Sequence, residues 1–373
     1  MSRPALLVVA QSARSLATAA VRAGYAPIAV DFFADEDTRA LALAAERVSG
    51  GLRCGFRRAA LMPAIETALR AAAVEPVGIV LGSGFEDRTR LVASLAARWS
   101  LLGCPAEVVR AVNDPFRLAE ACRIDGIPHP EVRRDVPTEG EWLVRRRGAA
   151  GGGHIRPIAA GEPVPTGHVV MRRVPGRPVS AAVLADGGRA EVFAFAEQIL
   201  APADEAPFRF AGVAGPVRLP ATVEQGMRHA ADKLAARFGL KGLASLDAMV
   251  DGNDWWLLEV NPRPGASLDA LDHMDAPLLT AHISAVAGRI LLPRAVDATI
   301  RATMVVYASV DSSVTVGPKW PDWVLDRPGA GARIEARAPI ATITAAAERL
   351  EDIEGLLTTR ARELETVLRG NAT

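Results

Sequence analysis

WWLLEVNPRPGAS, residues 255–267, is an apolar run that meets Glu259 and Asn261 two positions apart and then breaks at Pro-Arg-Pro-Gly. Side chains at i and i+2 of a strand share a face, so Glu259 and Asn261 project together, and Arg263 follows if the chain stays extended. Just upstream, DGND at 251–254 is a hairpin signal, because Asp-Gly supports the turns that antiparallel pairs prefer. The first strand of that hairpin carries Asp247, so two carboxylates and a carboxamide are expected to converge on one small volume. Hard divalent cations take oxygen ligands, and Mg²⁺ is usually held by one or two carboxylates plus substrate phosphates. Spacing alone equally allows Asp247 and Glu259 to be surface residues paired with nearby arginines.

A second polar feature lies upstream. The strand EWLVRRR ends in Arg145, Arg146 and Arg147 and runs into GAAGGGHI, residues 148–155. A glycine run lets backbone N–H groups approach phosphate oxygens with no Cβ in the way, and an adjacent cation offsets their charge. The loop matches neither the P-loop spacing nor G-x-G-x-x-G, and taken alone it is as readily a mobile surface loop as a phosphate lid. His154 by itself reads as a structural residue or loop hydrogen-bond donor rather than a catalytic base.

The 373 residues are half hydrophobic, enough for two or three domains each with its own core. Basic and acidic residues balance at 43 each, with no long block of one sign, which disfavours nucleic acid and acidic membrane surfaces and favours a small-molecule partner. Cys54, Cys104 and Cys122 form no C-x-x-C pair, the six His do not cluster, and neither G-x-S-x-G nor H-E-x-x-H occurs. Zinc chemistry, a disulfide framework and a serine hydrolase thus have no support. The N-terminal apolar run is too short for a signal core, and no later run approaches the about 20 residues of a membrane span; a reducing cytoplasm is the expected location.

The order of elements reads as α/β and then α+β. ALLVVA, SARSLATAAVRAG and PIAVDFF make a β-α-β opening, and VGIVLG leads through SGFED into a helix ending near Trp99. In such open parallel sheets ligands sit beyond the carboxyl ends of strands, where Gly82, Ser83, Gly84 and Glu86 lie. NDPFRLAEACRIDGIPHPEV reads as a helix capped by Asn113 or Asp114, with Pro115 in its first turn and Gly126 closing it. Strand pairs and the helix TVEQGMRHAADKLAARFG follow. After about residue 300 come the strands RATMVVYASV and APIATITA, separated by a loop, KWPDWVLDRPGAGARI, and then a charged amphipathic helix, TAAAERLEDIEGLLTTRARELETVL.

Taken together, the glycine loop after LVRRR, the strand VVMRRVPGRPVS and the closing set Asp247, Glu259, Asn261 and Arg263 resemble the ATP-grasp superfamily of carboxylate-amine and carboxylate-thiol ligases, which includes biotin carboxylase. The resemblance implies an ATP-grasp fold with an N-terminal Rossmann-like parallel-sheet domain at residues 1–105, a two-lobed ATP-grasp domain at 106–300, and a small C-terminal β/α region at 301–373. More narrowly, GSGFED at 82–87, NPRPGASLDAL at 261–271 and DRPGAGARIEARAPIATITA look like predicted ATP-dependent carboligases of methanogens and methylotrophic bacteria. Those proteins are associated with pterin or furan one-carbon cofactors of the tetrahydromethanopterin and methylofuran type.

The resemblance further implies ATP and Mg²⁺, with Mn²⁺ as a substitute, and formation of an acyl phosphate that an amine displaces. Asp247, Glu259 and Asn261 would bind the metal. Arg263 would hold the transferring phosphoryl group, and Arg145 with Gly151, Gly152, Gly153 and His154 would cover the phosphates. Backbone from Met171 through Arg172 to Val174 would be the hinge against the adenine edge. Phosphoryl transfer of this kind runs on positioning and charge neutralisation, so no enzyme nucleophile is required.

Three positions depart from the family pattern: Arg145 stands for its Lys, Arg172 and Arg173 stand where a hinge Glu is usual, and Pro115 replaces a Lys, with Arg117 as a loose substitute. The partners expected are a small carboxylate and an amine, amino acids among them, and many members of the superfamily are homodimers. Ser83, Glu86, Ser267 and Asp269 are the candidate substrate residues; Glu86 either meets a substrate ammonium or answers the dipole of the following helix. Two alternatives stand beside the ligase: a carboxylase that activates bicarbonate, and an ATP-binding protein without turnover.

Overall fold

The computed structural model describes residues 3–314 and 319–370. Ala5–Val9 pairs in parallel with Ala26–Asp31 on one side and Ile79–Leu81 on the other, and Ala44–Arg47 completes a four-stranded sheet. Every residue of Ala5–Val9 is buried, because both faces are covered. Leu6 and Val8 pack with Leu16, Ala17 and Ala20 of the helix Arg14–Arg22. Leu7 and Val9 pack with Leu61 and Ile65 of Arg58–Ala72 and Leu95 of Thr89–Ala96. This is the open parallel sheet expected of the β-α-β opening; its edge strand, AAER, has too little apolar or β-branched character to announce itself.

The helix Pro115–Asp125 begins at Asp114, whose side chain accepts from the Phe116 and Arg117 amides at 3.0 and 3.2 Å, and ends at Gly126 with φ +65°. A small antiparallel sheet follows, ordered Val132–Arg133, His168–Arg172, Trp142–Arg146, Arg156–Ile158. Beyond it lies an eight-stranded antiparallel sheet that begins with Asp254–Asn261, Lys241–Asp251, Arg177–Asp186 and Ala190–Leu200. It continues through Phe210–Gly215, Ile300–Tyr307, Pro339–Ala347 and Val324–Leu325. The helix Ala221–Phe238 covers one face through Val223, Met227 and Leu234, and Leu278–Val286 packs on the other through Leu278 and Leu279.

Residue 300 is not a break in this sheet, since Gly212 pairs with Met304 and Met304 with Ile343. The C-terminal helix, expected to include Thr344–Ala347, starts only at Leu350. Ala345 and Ala347 instead pair with Ala302 and Ile300. Alanine favours helix by a fraction of a kcal/mol, and sheet pairing in a buried context overrides that preference.

The hairpin forms with its turn at Gly252-Asn253, and its register contains one irregularity that matters. Asp247 pairs with Glu259 and Ala248 with Leu257, so Leu258 is an extra residue, a β-bulge. On the Lys241–Asp251 strand, Ala244, Leu246, Ala248 and Val250 face the core under helix Ala221–Phe238, and on the second strand so do Trp255 and Leu257. Without the bulge Glu259 would join them. With it Val260 takes the core position, and Glu259 and Asn261 turn to the same face as Asp247.

Candidate active site

The convergence expected of the hairpin is present. Asn261 Nδ2 donates to Asp247 Oδ2 at 2.9 Å and reaches Glu259 Oε1 at 3.4 Å, so both carboxylates meet at one amide. Asp247 Oδ1 also accepts from Ser180 at 2.7 Å, from the neighbouring strand, and from Ser245 at 3.4 Å. Neither serine was singled out from sequence. Ser245 and Asp247 alternate with Leu246 and Ala248 along the strand, which is the period-2 signal that could have found the first; Ser180 is a lone hydroxyl in an otherwise apolar strand.

Arg145 comes from the small sheet. Trp142 and Val144 pack with Ile158 and Val170 inside that sheet's own core, so the alternate positions, Leu143 and Arg145, lie on the opposite face, which turns Arg145 toward the large sheet. There Arg145 Nη2 donates to Glu259 Oε2 at 2.5 Å, and Nη1 lies 3.5 Å from the carbonyl of the bulged Leu258. The guanidinium that the sequence places over phosphates here holds a carboxylate of the trio. His154, at the end of the glycine loop, belongs to the same neighbourhood, and its Nε2 is buried with no hydrogen-bond partner among the described residues. Burial, and then Arg145, push its pKa down to about 4, so it is a neutral imidazole at neutral pH.

The glycine loop bridges the lobes. Gly151 O accepts from the Phe210 amide at 2.9 Å, and Gly152, at φ +70°, lies so close that a Cβ would stand 1.9 Å from the Phe208 carbonyl oxygen. Only glycine fits there. Gly153 donates to the Gly151 carbonyl at 2.9 Å.

Arg263 follows Asn261 onto the same side, with Nη2 3.4 Å from Asn261 Oδ1. Its Nε donates to Glu86 Oε1 at 2.7 Å, and Glu86 Oε2 accepts from the Gly84 amide at 2.8 Å. Both sequence-based roles for Glu86 therefore need correction. The helix starts at Thr89, beyond reach of a dipole role, and the buried carboxylate is the partner of Arg263 rather than a free site for ammonium. Asp269 is likewise engaged, accepting from Arg14 Nη1 and Nη2, each at 2.5 Å. Ser83 and Asp269 line a cavity of about 230 Å³ beside Pro264 and Gly265. Ser267 precedes the short helix Leu268–Leu271 without a side-chain cap bond. At the expected hinge, Met171 is buried, while the amides of Arg172 and Arg173 donate to the Glu131 and Glu141 carbonyls at 2.9 and 2.8 Å, so neither amide is available to a ligand. Val174, next along, is half-buried.

The electrostatics fit a divalent cation. Burial, with the charge of Glu259 added, pushes the Asp247 carboxyl up to about 6 against the pull of Ser180 and Arg263. Burial is the largest influence on Glu259 and raises it, but the charge and hydrogen bond of Arg145, with the Asn261 hydrogen bond and others, together hold that carboxyl below its ordinary value. The two acids thus share too little positive charge. The donor set is all oxygen once the Asn261 amide turns over to present Oδ1, and among the described residues no group of three or more His, Cys, Asp or Glu offers a complete protein cage. Two carboxylates that need phosphates to finish the shell suit Mg²⁺.

Comparison with known proteins agrees with this geometry. Residues 112–267 match the ATP-grasp domain family. The arginine-specific carbamoyl phosphate synthase large chain of Bacillus subtilis (strain 168) is 26% identical over 121 residues, which is 32% of this chain and only 12% of that protein's length. The biotin carboxylase–βγ-ATP complex from Campylobacter jejuni superposes with a TM-score of 0.68 at 15% identity, covering 92% of this chain and 87% of that one. An L-amino acid ligase from Bacillus licheniformis gives 0.67 at 15% identity over 98% of both chains. That family match covers less than half of the chain, and the chain as a whole is built on the ATP-grasp fold.

Proposed function

We propose that the protein is a Mg²⁺- and ATP-dependent ligase that converts a small carboxylate to an acyl phosphate and transfers the acyl group to an amine, releasing ADP and phosphate. The observation that carries this is the meeting of Asp247, Glu259 and Asn261 with Arg145 and Arg263 at the mouth of the hairpin, inside an ATP-grasp domain. Asp247, Glu259 and Asn261 would hold Mg²⁺, which would neutralise charge on the phosphates. The glycine loop covers the same phosphates with backbone N–H groups and excludes water. Arg145 exchanges Glu259 for a phosphate oxygen when nucleotide binds.

Arg263, fixed through its Nε by Glu86, makes only 3.4 Å contacts from its outer nitrogens, to Pro264 O and Asn261 Oδ1, and exchanges them for the transferring group. A carboxylate oxygen forms the bond to the γ-phosphorus as the bond from that phosphorus to the bridging oxygen breaks, and ADP leaves. The amine nitrogen then bonds to the acyl carbon, the C–O bond to phosphate breaks, and the proton lost by the amine passes to solvent. The resemblance of GSGFED and NPRPGASLDAL to the carboligase group supports a role in one-carbon cofactor synthesis.

The test is ADP release from Mg²⁺ and ATP with pooled small acids and pooled amines. Turnover that requires one member of each pool is expected. ADP formed with bicarbonate alone, or with no acceptor combination at all, would overturn the assignment.

A further inference from the structure

The cavity of about 230 Å³ lies between the N-terminal sheet, the Pro264–Ala266 loop and the strands Ile300–Tyr307 and Pro339–Ala347. Asp35, Asp269 and Asp326 line it, with Asp31 and Asp37 close behind. Four of these five carboxylates are engaged. Asp31 accepts from the Ala13, Phe33 and Ala34 amides at 2.7, 2.9 and 2.6 Å. Asp37 accepts from the Asp326 and Arg327 amides at 2.9 and 3.1 Å. Asp269 and Asp326 share Arg14, and Asp326 also accepts from Ser12 at 2.7 Å.

Asp35 is left over. It is 7% exposed, it faces the cavity, and its side chain makes no hydrogen bond among the described residues, not even to the helix Glu36–Leu41 that it precedes. It opens onto the cavity, and a largely buried carboxyl with no donor calls for a partner that a cationic ligand can supply.

We propose that this cavity receives the ammonium group of a small amine with an apolar body, with Asp35 as its counter-ion. Among the described residues lining the cavity, Arg14 is the only guanidinium, and it is taken up by Asp269 and Asp326, so a carboxylate ligand finds no guanidinium partner there. Leu16, Phe33, Leu52 and Tyr307 supply apolar walls. The volume falls below the about 300–1,000 Å³ of drug-sized sites, which limits the amine to a small one. The charge balance points the same way: burial, then repulsion from Asp326, Asp31 and Asp37, pushes Asp35 up to about 8, and a bound cation reverses that. Gly82 and Pro264 line both this cavity and the smaller one that contains Arg263 and Glu86, so the ammonium carrier lies next to the group that holds the acyl phosphate. Naming it the nucleophile rests on the ligase function proposed above; the binding site does not.

Calorimetric titration with n-butylammonium chloride, with potassium chloride and sodium butyrate as controls, tests the site in the presence and absence of Mg²⁺ and a non-hydrolysable ATP analogue. Binding of the amine alone among the three is expected, weakened about tenfold or more in Asp35→Asn, the scale of one charged hydrogen bond. Ala266→Phe, at an exposed position on the cavity wall, is expected to block binding without entering the core, and it decides the matter if Asp35→Asn does not fold. Equal affinity in the wild type and both variants, or no amine binding under either condition, overturns the proposal. Amine binding that needs Asp35, with no ADP release from any acid–amine pool, sustains the cavity and removes the ligase. ADP release that both variants leave unchanged does the reverse.

Discussion

Arg14 and Arg145 each face a pair of carboxylates in this molecule, and they are held in opposite ways. Arg14 is sealed: its side chain is 4% exposed, it grips Asp269 with both terminal nitrogens, and it reaches Asp326 from the far end of the chain. Arg145 touches Glu259 with a single terminal nitrogen at the edge of a cleft, where Glu259 is 27% exposed and shares its amide partner with Asp247. In the first cluster every oxygen of Asp269 has a donor, and the pair ties together segments 255 and 312 residues apart. In the second the two carboxylates are held mostly by neutral donors, Ser180, Ser245 and Asn261, and a single guanidinium, Arg145, touches them, so the charge is left unbalanced. Completed ion pairs hold parts together; incomplete ones are where a metal and phosphates can enter.

Breaking the sealed cluster should therefore affect stability, and breaking the open one should affect chemistry. The largest effect is expected for Asp269→Ala, which leaves Arg14 buried with Asp326 and, at 3.9 Å, Asp37. Unfolding free energy should fall by about 3 kcal/mol, the low end for a broken buried pair, because Asp326 remains. Chemical denaturation measures this; a loss under about 1 kcal/mol would place Arg14 in the surface class. A smaller effect, on rate rather than fold, is expected for Glu86→Gln. The amide keeps the shape and can still accept from Arg263 Nε, but the charge that anchors the guanidinium is gone, and kcat/KM for ADP release should drop about tenfold. Unchanged kinetics would detach Arg263 from the reaction.

The two clusters also differ in how far the sequence discloses them. The open one is nearly all local: Glu259, Asn261 and Arg263 are two apart, Asp247 sits on the paired strand of a hairpin announced by Asp-Gly, and the glycine loop is conspicuous. The bulge at Leu258 was not legible, since WWLLEV contains apolar residues in both parities and either register buries something. The sealed cluster was not legible at all. Asp269 has the look of a substrate carboxylate beside the motif, and nothing within the sequence tells it that Arg14 comes to meet it. Glu86 is opaque for the same reason, its partner being 177 residues away. At Thr344–Ala347 alanine propensity pointed to helix, while pairing with Ile300–Tyr307 made it strand.

The most direct test of the account is calorimetric titration with a non-hydrolysable ATP analogue, with and without Mg²⁺, on the wild type and on Glu259→Gln. Binding that depends on Mg²⁺ in the wild type and loses that dependence in the variant is expected. Equal, metal-independent binding in both proteins would contradict the assignment of Asp247, Glu259 and Asn261 as the metal and phosphate site.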